Sequence, residues 1–436
     1  MKKTILLITG LFLIAPAFAQ YTVSGGTGAP LLAEENTFGR IQIYLLNGLV
    51  GAEIAFQTEQ EEMHQWYKYN TRYSEAIPIT SQYTNRSTIN DIEDGWAYFV
   101  ESPSSPTPSF VWIIDYSRYK PVFTSLDIPK EEEKCESLKL IVRMEAEPLI
   151  YHTYFGDPVS LSRHYHLLYD NLEWDEESLS FISKKENELH PNILSEISIN
   201  APLKNTAFTL MGDQFAEHFG MEQRIVSSEY TAIAVEAHAQ MIATKADGEI
   251  EEMNESGAQT AYSAPVDIRF QAQANEPAAA RYVWNILRTD PETKEQTLIF
   301  HHFDQSVSYT FRESGFYTAQ LEVDSRSMCL DDSQLFEITI DDSVLRLPNA
   351  FSPGSSPGVN DEYRVSHKSL VSFKASIYNR HGNLLYHWED PAQGWDGKVG
   401  GRYVPSGVYF IVVEAKGADG KVYRLSKDIN ILRAKE

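Results

Sequence analysis

Short runs of β-forming residues, bounded by turn residues, follow one another along almost the whole chain. Examples are residues 40–46, 110–114, 138–144 and 409–413. Apolar residues with helical spacing are scarce, and a short helix is predicted only near 209–223. Many short strands separated by turn signals are typical of β-sandwiches. We therefore predict an all-β chain of tandem immunoglobulin-like β-sandwich domains, about four of them for this length.

The charge balance excludes one broad class of partner. Aspartate and glutamate number 61 against 37 lysines and arginines, which gives a formal net charge of −24. A protein that binds nucleic acid needs a basic surface against the phosphates, so we expect no nucleic-acid partner. Because 42% of the residues are hydrophobic, the chain has enough apolar side chains to bury cores.

The first residues have the pattern of an export signal. Two lysines precede an apolar run at 5–14, and Ala17 and Ala19 stand where signal peptidase requires small residues. The apolar run is too short to cross about 30 Å of hydrocarbon. We predict a signal peptide over 1–19, cleaved after Ala19, and no transmembrane helix in the mature chain.

Charged segments indicate how the mature chain is divided. Residues 131–134 and 248–257 are rich in glutamate and poor in apolar residues, which is typical of linkers. In the first unit, Trp66 and Tyr98 suit the core of an immunoglobulin-like sandwich. The predicted units are 20–130, an immunoglobulin-like β-sandwich, 131–247, a β-rich domain, 264–342, a further β-sandwich, and 343–436, a C-terminal β domain.

The chain contains two cysteines, Cys135 and Cys329. An exported chain of this size with so few cysteines is not a disulfide scaffold. Since the two residues lie far apart, in different predicted units, we expect two separate free thiols.

The C-terminal unit carries the most specific motifs. Pro-Asn-Ala-Phe begins at Pro348, Asn-Asp at Asn360, Asn-Arg-His-Gly at Asn379, Trp-Asp-Gly at Trp395 and Pro-Ser-Gly-Val-Tyr at Pro405. The prolines exclude helix, and the glycines permit tight turns. A tryptophan beside such a turn can cap a sandwich core.

These motifs resemble the type B C-terminal sorting domain of the type IX secretion system of Bacteroidota, also called the gliding-motility-associated C-terminal domain. The resemblance implies that 343–436 is read by the type IX secretion machinery, which would bring the chain to the outer membrane and the cell surface or medium. The residues that match the motif are Pro348, Asn349, Phe351, Asn360, Asp361, Asn379, Arg380, Gly382, Trp395, Asp396, Gly397, Pro405, Gly407 and Tyr409.

Two positions depart from that family pattern. His381 stands where the family usually has tryptophan, and the loop 354–358 lacks the usual acidic residues. If the family loop holds a cation, we expect that this loop does not.

The unit 264–342 resembles a PKD-like immunoglobulin-like domain. Trp284 matches the core tryptophan of its strand C, and 309–323 matches its closing pattern. We expect Phe311, Phe316 and Leu321 to lie in the interior. Modules of this kind serve as spacers and as adhesive or carbohydrate-binding units, so the fold alone does not decide the function.

Few residues suggest chemistry. His164 and His166 share a strand face and are weak candidates for a metal site, since no third ligand is evident. Ser343 lies in an Asp-Ser-Val sequence that fits the O-glycosylation pattern of such bacteria. No catalytic motif and no cofactor-binding motif is present, and we expect the numerous carboxylates to form a solvated acidic surface.

We therefore predict an exported, modular, non-enzymatic surface or secreted protein that functions in adhesion or in binding a glycan or host-surface ligand. One alternative is a secreted glycan-active hydrolase with its active site in 20–247. Another is a structural component of a motility or attachment assembly. A deep cleft with converging carboxylates would favour the hydrolase, whereas a surface with exposed tyrosine and tryptophan would favour binding.

Overall fold

The computed structural model describes residues 21–36, 40–129, 134–193, 195–244, 250–253, 259–276, 278–355 and 358–432. The predicted signal peptide and most of the two predicted linkers lie outside these residues. The described chain is all-β, with one five-residue helix, and this agrees with the predicted fold class. No helix in these ranges has the length and apolar character needed to cross a membrane.

The first unit is a single sheet of seven strands. Its order is β1-β4-β6-β7-β3-β2, with β5 paired to β4, and β3 runs parallel to β7. The strands are β1 (Tyr21–Ser24), β2 (Leu31–Asn36), β3 (Ile41–Leu46), β4 (Glu53–Tyr69), β5 (Ile77–Ile89), β6 (Trp96–Glu101) and β7 (Phe110–Asp115).

This sheet bends back on itself along the long β4–β5 hairpin. The pairing register shifts between Gln57 and Glu62, so β4 pairs with β1 before the bend and with β6 after it. Trp66 and Tyr98 are fully buried in the core enclosed by the bend. The two layers of this unit are thus joined in one sheet, because one bulged hairpin belongs to both.

The second unit has two main sheets, of order β14-β9-β8 and β13-β12-β15-β16, and a separate two-stranded pair, β10-β11. Its core includes Leu140, Leu167 and Phe208. Its elements are β8 (Val122–Asp127), β9 (Ser137–Glu145), β10 (Ile150–His152), β11 (Pro158–Ser160), β12 (His164–Asp175), β13 (Ser180–Pro191), β14 (Glu196–Asn200), β15 (Thr206–Asp213), α1 (Gln214–His218) and β16 (Arg224–Tyr230).

The boundary between these two units lies earlier than the sequence suggested. Strand β8 falls before residue 130, yet it pairs with β9 from Val122 to Asp127 and so belongs to the second unit. In the other direction, the β10–β11 hairpin and α1 extend onto the outer face of the first sheet. There Leu149, Tyr151 and Phe215 pack in one core with Trp112. The two units therefore share a large apolar interface.

The third unit is a sandwich of the sheets β18-β17-β20-β23 and β19-β25-β24-β21-β22, in which β19 runs parallel to β25. Its strands are β17 (Ala237–Thr244), β18 (Ile250–Met253), β19 (Gln259–Tyr262), β20 (Val266–Ala274), β21 (Ala279–Thr289), β22 (Gln296–His302), β23 (Ser306–Phe311), β24 (Gly315–Ser325) and β25 (Leu330–Ile340).

The third unit also begins earlier than residue 264. Strand β17 pairs with β20 over eight residues, and β18 lies within the acidic segment that was expected to be a linker. Trp284, Phe311 and Leu321 are buried as expected, but Phe316 is 50% exposed and Tyr317 is buried instead. Phe316 and Leu321 are five residues apart on β24, so they point to opposite faces and cannot both be interior.

The expectation of two free thiols is wrong. Cys135, just before β9, and Cys329, just before β25, form a disulfide with 5.4 Å between their Cα atoms. Packing of the second unit against the third brings the two loops together, since Ala278 of the third unit lies in the core of the second. Because the two cysteines are 194 residues apart, no local sequence pattern indicated that they would pair.

The C-terminal unit contains a five-stranded sheet of order β27-β36-β35-β30-β31, in which β27 runs parallel to β36, together with three two-stranded pairs. Its strands are β26 (Val344–Arg346), β27 (Ala350–Phe351), β28 (Tyr363–Arg364), β29 (Ser366–Lys368), β30 (Leu370–Tyr378), β31 (Leu384–Trp388), β32 (Gly394–Trp395), β33 (Lys398–Val399), β34 (Arg402–Tyr403), β35 (Gly407–Gly417) and β36 (Val422–Ile431).

This unit has its own core and is docked on the third unit at one end. Residues such as Trp395 and Ile411 form the core of the C-terminal unit, whereas Ala418 packs in the core of the third. The Ser314 amide donates to the Ala418 carbonyl at 3.1 Å. The C-terminal unit is thus a module with its own core that packs against the third unit.

Candidate functional site

The Trp-Asp-Gly motif closes the core of the C-terminal unit. Trp395 is fully buried, and its Nε1 donates to the Lys398 carbonyl at 2.9 Å. Gly397 has a φ of +77°, and a Cβ atom there would lie 2.8 Å from Cγ of Pro353. Asp396 Oδ1 accepts the Lys398 amide at 3.0 Å. The three residues therefore act together as a core cap and its tight turn.

The opening segment of this unit is bound to its last strand. Asn349 accepts the Asn430 amide at its carbonyl (2.8 Å) and the Lys427 ammonium at its Oδ1 (3.0 Å). Tyr363 donates to the Pro348 carbonyl at 3.0 Å, and Phe351 is buried. These contacts explain why Pro-Asn-x-Phe is useful at this position: each residue fixes the chain as it enters the sheet.

Other motif residues stabilise turns. Tyr409 donates from its hydroxyl to the Pro405 carbonyl at 2.9 Å, across the turn that contains Gly407. Asp361 Oδ2 accepts the Gly358 amide at 2.9 Å, and the Asn360 carbonyl accepts the Ser352 amide at 2.7 Å. These polar groups therefore form hydrogen bonds within the C-terminal unit.

The Asn-Arg-His-Gly turn is exposed, and the side chain of its own Asn379 orders it. Asn379 Oδ1 accepts the amides of His381 (2.9 Å) and Asn383 (3.0 Å), and Gly382 has a φ of +79°. The side chains of Arg380 and His381 face solvent. Among the motif residues, this rigid turn therefore offers a charged group to a partner.

The other two candidate sites are placed as follows. His164 and His166 lie on β12 on either side of a register shift, and His166 Nδ1 is 2.8 Å from Asn187 Oδ1. The described residues contain no group of three potential ligands that could hold a metal. Ser343 is 7% exposed, and its hydroxyl donates to Asp419 Oδ1 at 2.7 Å. Glycosylation of Ser343 therefore requires that the enzyme reach it before the C-terminal unit folds.

A row of aromatic rings in contact with one another reaches solvent at the tip of the β10–β11 hairpin. We call it the aromatic ladder: Tyr67, Phe99, Tyr73, Tyr154 and Phe155. Successive ring centroids lie 5.1, 5.2, 4.7 and 5.2 Å apart. Phe155 is 81% exposed and Tyr154 is 37% exposed. The ladder thus runs from the first sheet to an exposed end.

Backbone contacts fix this hairpin tip. The Tyr73 amide donates to the Tyr154 carbonyl at 3.3 Å, which joins the first unit to the hairpin. Gly156 has a φ of +97°, and a Cβ atom there would lie 3.2 Å from Cβ of Arg72. The backbone of the tip is therefore held against the first unit.

Unpaired polar atoms lie beside the ladder. Tyr69 Oη, Trp112 Nε1 and His152 Nδ1 are buried and have no hydrogen-bond partner. The three rings are neighbours, with centroid distances of 6.1 Å for Tyr69–Trp112 and 5.7 Å for Trp112–His152. Burial raises the pKa of Tyr69, so its hydroxyl stays protonated. Buried polar groups are nearly always paired, so these three atoms are exceptions within the core below the ladder.

A separate cleft of about 1250 Å³ lies between the third and C-terminal units. Its lining carries charges of both signs, including Arg312, Asp341 and Lys416, together with the exposed ring of Phe316. This cleft is outside 20–247, where the hydrolase alternative requires an active site.

Sequence reasoning did not find the aromatic ladder. Its members come from β4, β6, a turn at Tyr73 and the hairpin at Tyr154, so only the fold brings them together. The available signal was the pair Tyr154-Phe155 directly before Gly156 and Asp157. Two large aromatic residues at a turn expose apolar surface that folding alone does not require.

Two segments match known families. Residues 345–426 match the CHU_C type IX secretion signal domain, and residues 127–227 match the fibronectin type III domain. The first confirms the secretion-signal assignment of the C-terminal unit and implies export to the cell surface or the medium. The second names the unit for which the sequence had suggested only a β-rich domain.

Solved structures of low similarity include a tetra-tandem repeat from the extending region of a large adhesion protein. It is 9% identical and covers 90% of this chain and 99% of its own, with a TM-score of 0.22. The chicken CNTN1 FN1–FN3 domains are 10% identical over 71% and 99%, with a TM-score of 0.21. A Ca²⁺-stabilised ice-binding adhesin of an Antarctic bacterium is 8% identical over 95% and 99%, with a TM-score of 0.20.

No curated protein matches this chain. It is an all-β, multi-domain chain with a fibronectin type III domain and, at 345–426, a type IX secretion signal domain.

Proposed function

We propose that this protein is displayed at the cell surface or released, and that it binds glycans through the aromatic ladder. The observation that carries the proposal is the exposed end of the ladder, Tyr154 and Phe155. Aromatic faces pack against the apolar faces of sugar rings. The exposed rings thus offer the apolar contact by which a carbohydrate can be held.

The other units fit this arrangement as carriers. The secretion signal domain would pass the chain to the type IX machinery, and the exposed Arg380 turn is the part of the motif we assign to that contact. We take this domain to be of type B and the third unit to be a PKD-like spacer, on the buried Trp284 and the parallel β19–β25 pair.

The test is binding of the mature chain to an array of polysaccharides, followed by titration of the oligosaccharide that binds. Phe155→Ala and Tyr154→Ala should each weaken binding at least tenfold, which corresponds to about 1.4 kcal/mol. Phe303→Ala is the matched control, because Phe303 is 57% exposed but lies on the third unit.

Binding that persists unchanged in both ladder variants would contradict the proposal, as would a parent chain that binds no glycan. Release of new reducing ends from the bound glycan would instead favour the hydrolase alternative.

A further inference from the structure

The disulfide provides a covalent route through the molecule that avoids most of the second and third units. Cys135 lies between β8 and β9, and Cys329 lies between β24 and β25. We propose that this disulfide is a force bypass: tension between the first unit and the C-terminal unit passes from β8 to β25, and the covalent load path leaves out residues 136–328. The inference takes from the proposed function only that the chain is held at both ends.

In the second unit, the bypass leaves one strand on the loaded path. Tension arrives through the segment before Val122 and leaves at Cys135, so it crosses only β8. Strand β8 is an edge strand and pairs with β9 alone. If β8 detaches, the rest of this sandwich, from β9 to β16, remains folded because neither of its ends is being pulled.

In the third unit, the loaded strand is β25, which is much better held. Tension enters at Cys329 and leaves after Ile340, so it acts along the length of β25. This strand pairs with β24 over most of its length and with β19 at its C-terminal end. Phe336, Ile338 and Ile340 anchor it in the core. Because tension acts at both ends of β25, it runs along the backbone of a strand that is already extended and paired on both sides.

The loop around Cys329 is itself fixed. The Ser325 amide donates to the Cys329 carbonyl at 2.9 Å, and Cys329 is 2% exposed. Without the disulfide, tension would enter the third unit near Ala237 and both sandwiches would lie fully on the loaded path. The disulfide thus limits how far the molecule can lengthen.

The contour length that the disulfide prevents from extending can be estimated. The two cysteines are 194 residues apart, and an extended chain spans at most about 3.3–3.6 Å per residue, so reduction should add about 640–700 Å of contour length. This length is directly measurable by stretching a single molecule.

The experiment stretches the mature chain between terminal handles in optical tweezers, first oxidised and then after addition of a thiol reductant. Fully unfolded molecules should be about 640–700 Å longer after reduction. A Cys135→Ser/Cys329→Ser double variant should show the longer value from the start and should not respond to reductant.

Oxidised molecules that already reach the full length on their first extension would overturn the proposal. So would a step in oxidised molecules that releases the whole of the second unit. If the double variant does not fold, the parent reduced after folding gives the same comparison. No glycan is present, so the outcome is independent of the ligand-binding test.

Discussion

At the scale of single residues, His64 is a buried titratable group in the bend of the first sheet. It is fully buried, with Nδ1 2.8 Å from Ser87 Oγ and Nε2 3.0 Å from Thr58 Oγ1. Burial lowers the pKa of His64 from its ordinary 6.5, against the opposing effect of the nearby Glu62 carboxylate. The folded chain therefore keeps this imidazole neutral at a pH where the unfolded chain protonates it.

The first unit should accordingly lose stability as the pH falls below about 6.5, because the unfolded state then binds a proton that the folded state does not. Hydrogen exchange of the β4–β5 amides, measured near pH 7.5 and 5.5 and corrected for intrinsic rates, should show less protection at the lower pH. His64→Gln should remove most of this difference.

His301→Gln is the control, since His301 is exposed on the third unit. An equal loss of β4–β5 protection in the parent and in His64→Gln would show that other groups cause the pH dependence.

At the scale of elements, a buried ionic network joins the first unit to the second. Arg163 pairs with Asp213, and Asp213 also accepts the Tyr116 hydroxyl and, at 2.8 Å, the Ala216 amide in the first turn of α1. Arg163 also donates to the Tyr119 carbonyl at 2.7 Å. Since Asp213 is fully buried, its charge stabilises the fold only while the Arg163 guanidinium pairs with it.

Asp213→Asn should therefore destabilise the chain by about 3–5 kcal/mol, because it leaves the Arg163 charge buried and unpaired. Denaturant unfolding of the mature chain measures this change. The double variant Asp213→Asn/Arg163→Met should recover part of the loss, and a double variant less stable than Asp213→Asn would contradict this account.

Local sequence patterns predicted the strands and turns better than they predicted which strands pair with each other. The alternation along β35 and the turn residues around Gly382 were legible in the sequence, because side-chain period and turn chemistry are local. The assignment of β8 and β17 to the following units was not, since strand pairing depends on contacts that sequence spacing does not show. The expectation that Phe316 is interior was wrong for a different reason. An odd separation along one strand places Phe316 and Leu321 on opposite faces of the sheet.

At the scale of the whole molecule, the C-terminal unit is a discrete module, and one of its ends packs against the third unit. Removing residues from Ser343 onward should hold the protein in the periplasm, because the secretion signal domain at 345–426 is lost. Fractionation and surface proteolysis of cells that express the truncated chain measure this. Surface delivery equal to that of the full chain would refute the role of the domain.

A second variant separates loss of the signal from misfolding. Truncation also uncovers the core of the third unit, since Ala418 is packed there. Arg380→Ala leaves that interface intact and alters only an exposed turn. Reduced surface delivery of this variant, with unchanged thermal unfolding, would assign the effect to recognition.

Sequence reasoning found the site at the end of the chain more readily than the site at the front. The secretion signal domain is one continuous segment, so its motifs stand in order and can be compared with a family. The aromatic ladder and the Cys135–Cys329 pair are assembled from distant segments. Such sites depend on how units pack, which no short pattern in one sequence reveals.

The parallel pairing of β27 with β36 has a consequence for biosynthesis. Ala350 lies beside Asn430 and Phe351 beside Ile431, so the first strand of this sheet gains its neighbour only when the last has been made. A nascent or prematurely terminated polypeptide that stops before β36 leaves the sheet open at this edge. Only a fully translated domain can therefore complete this sheet.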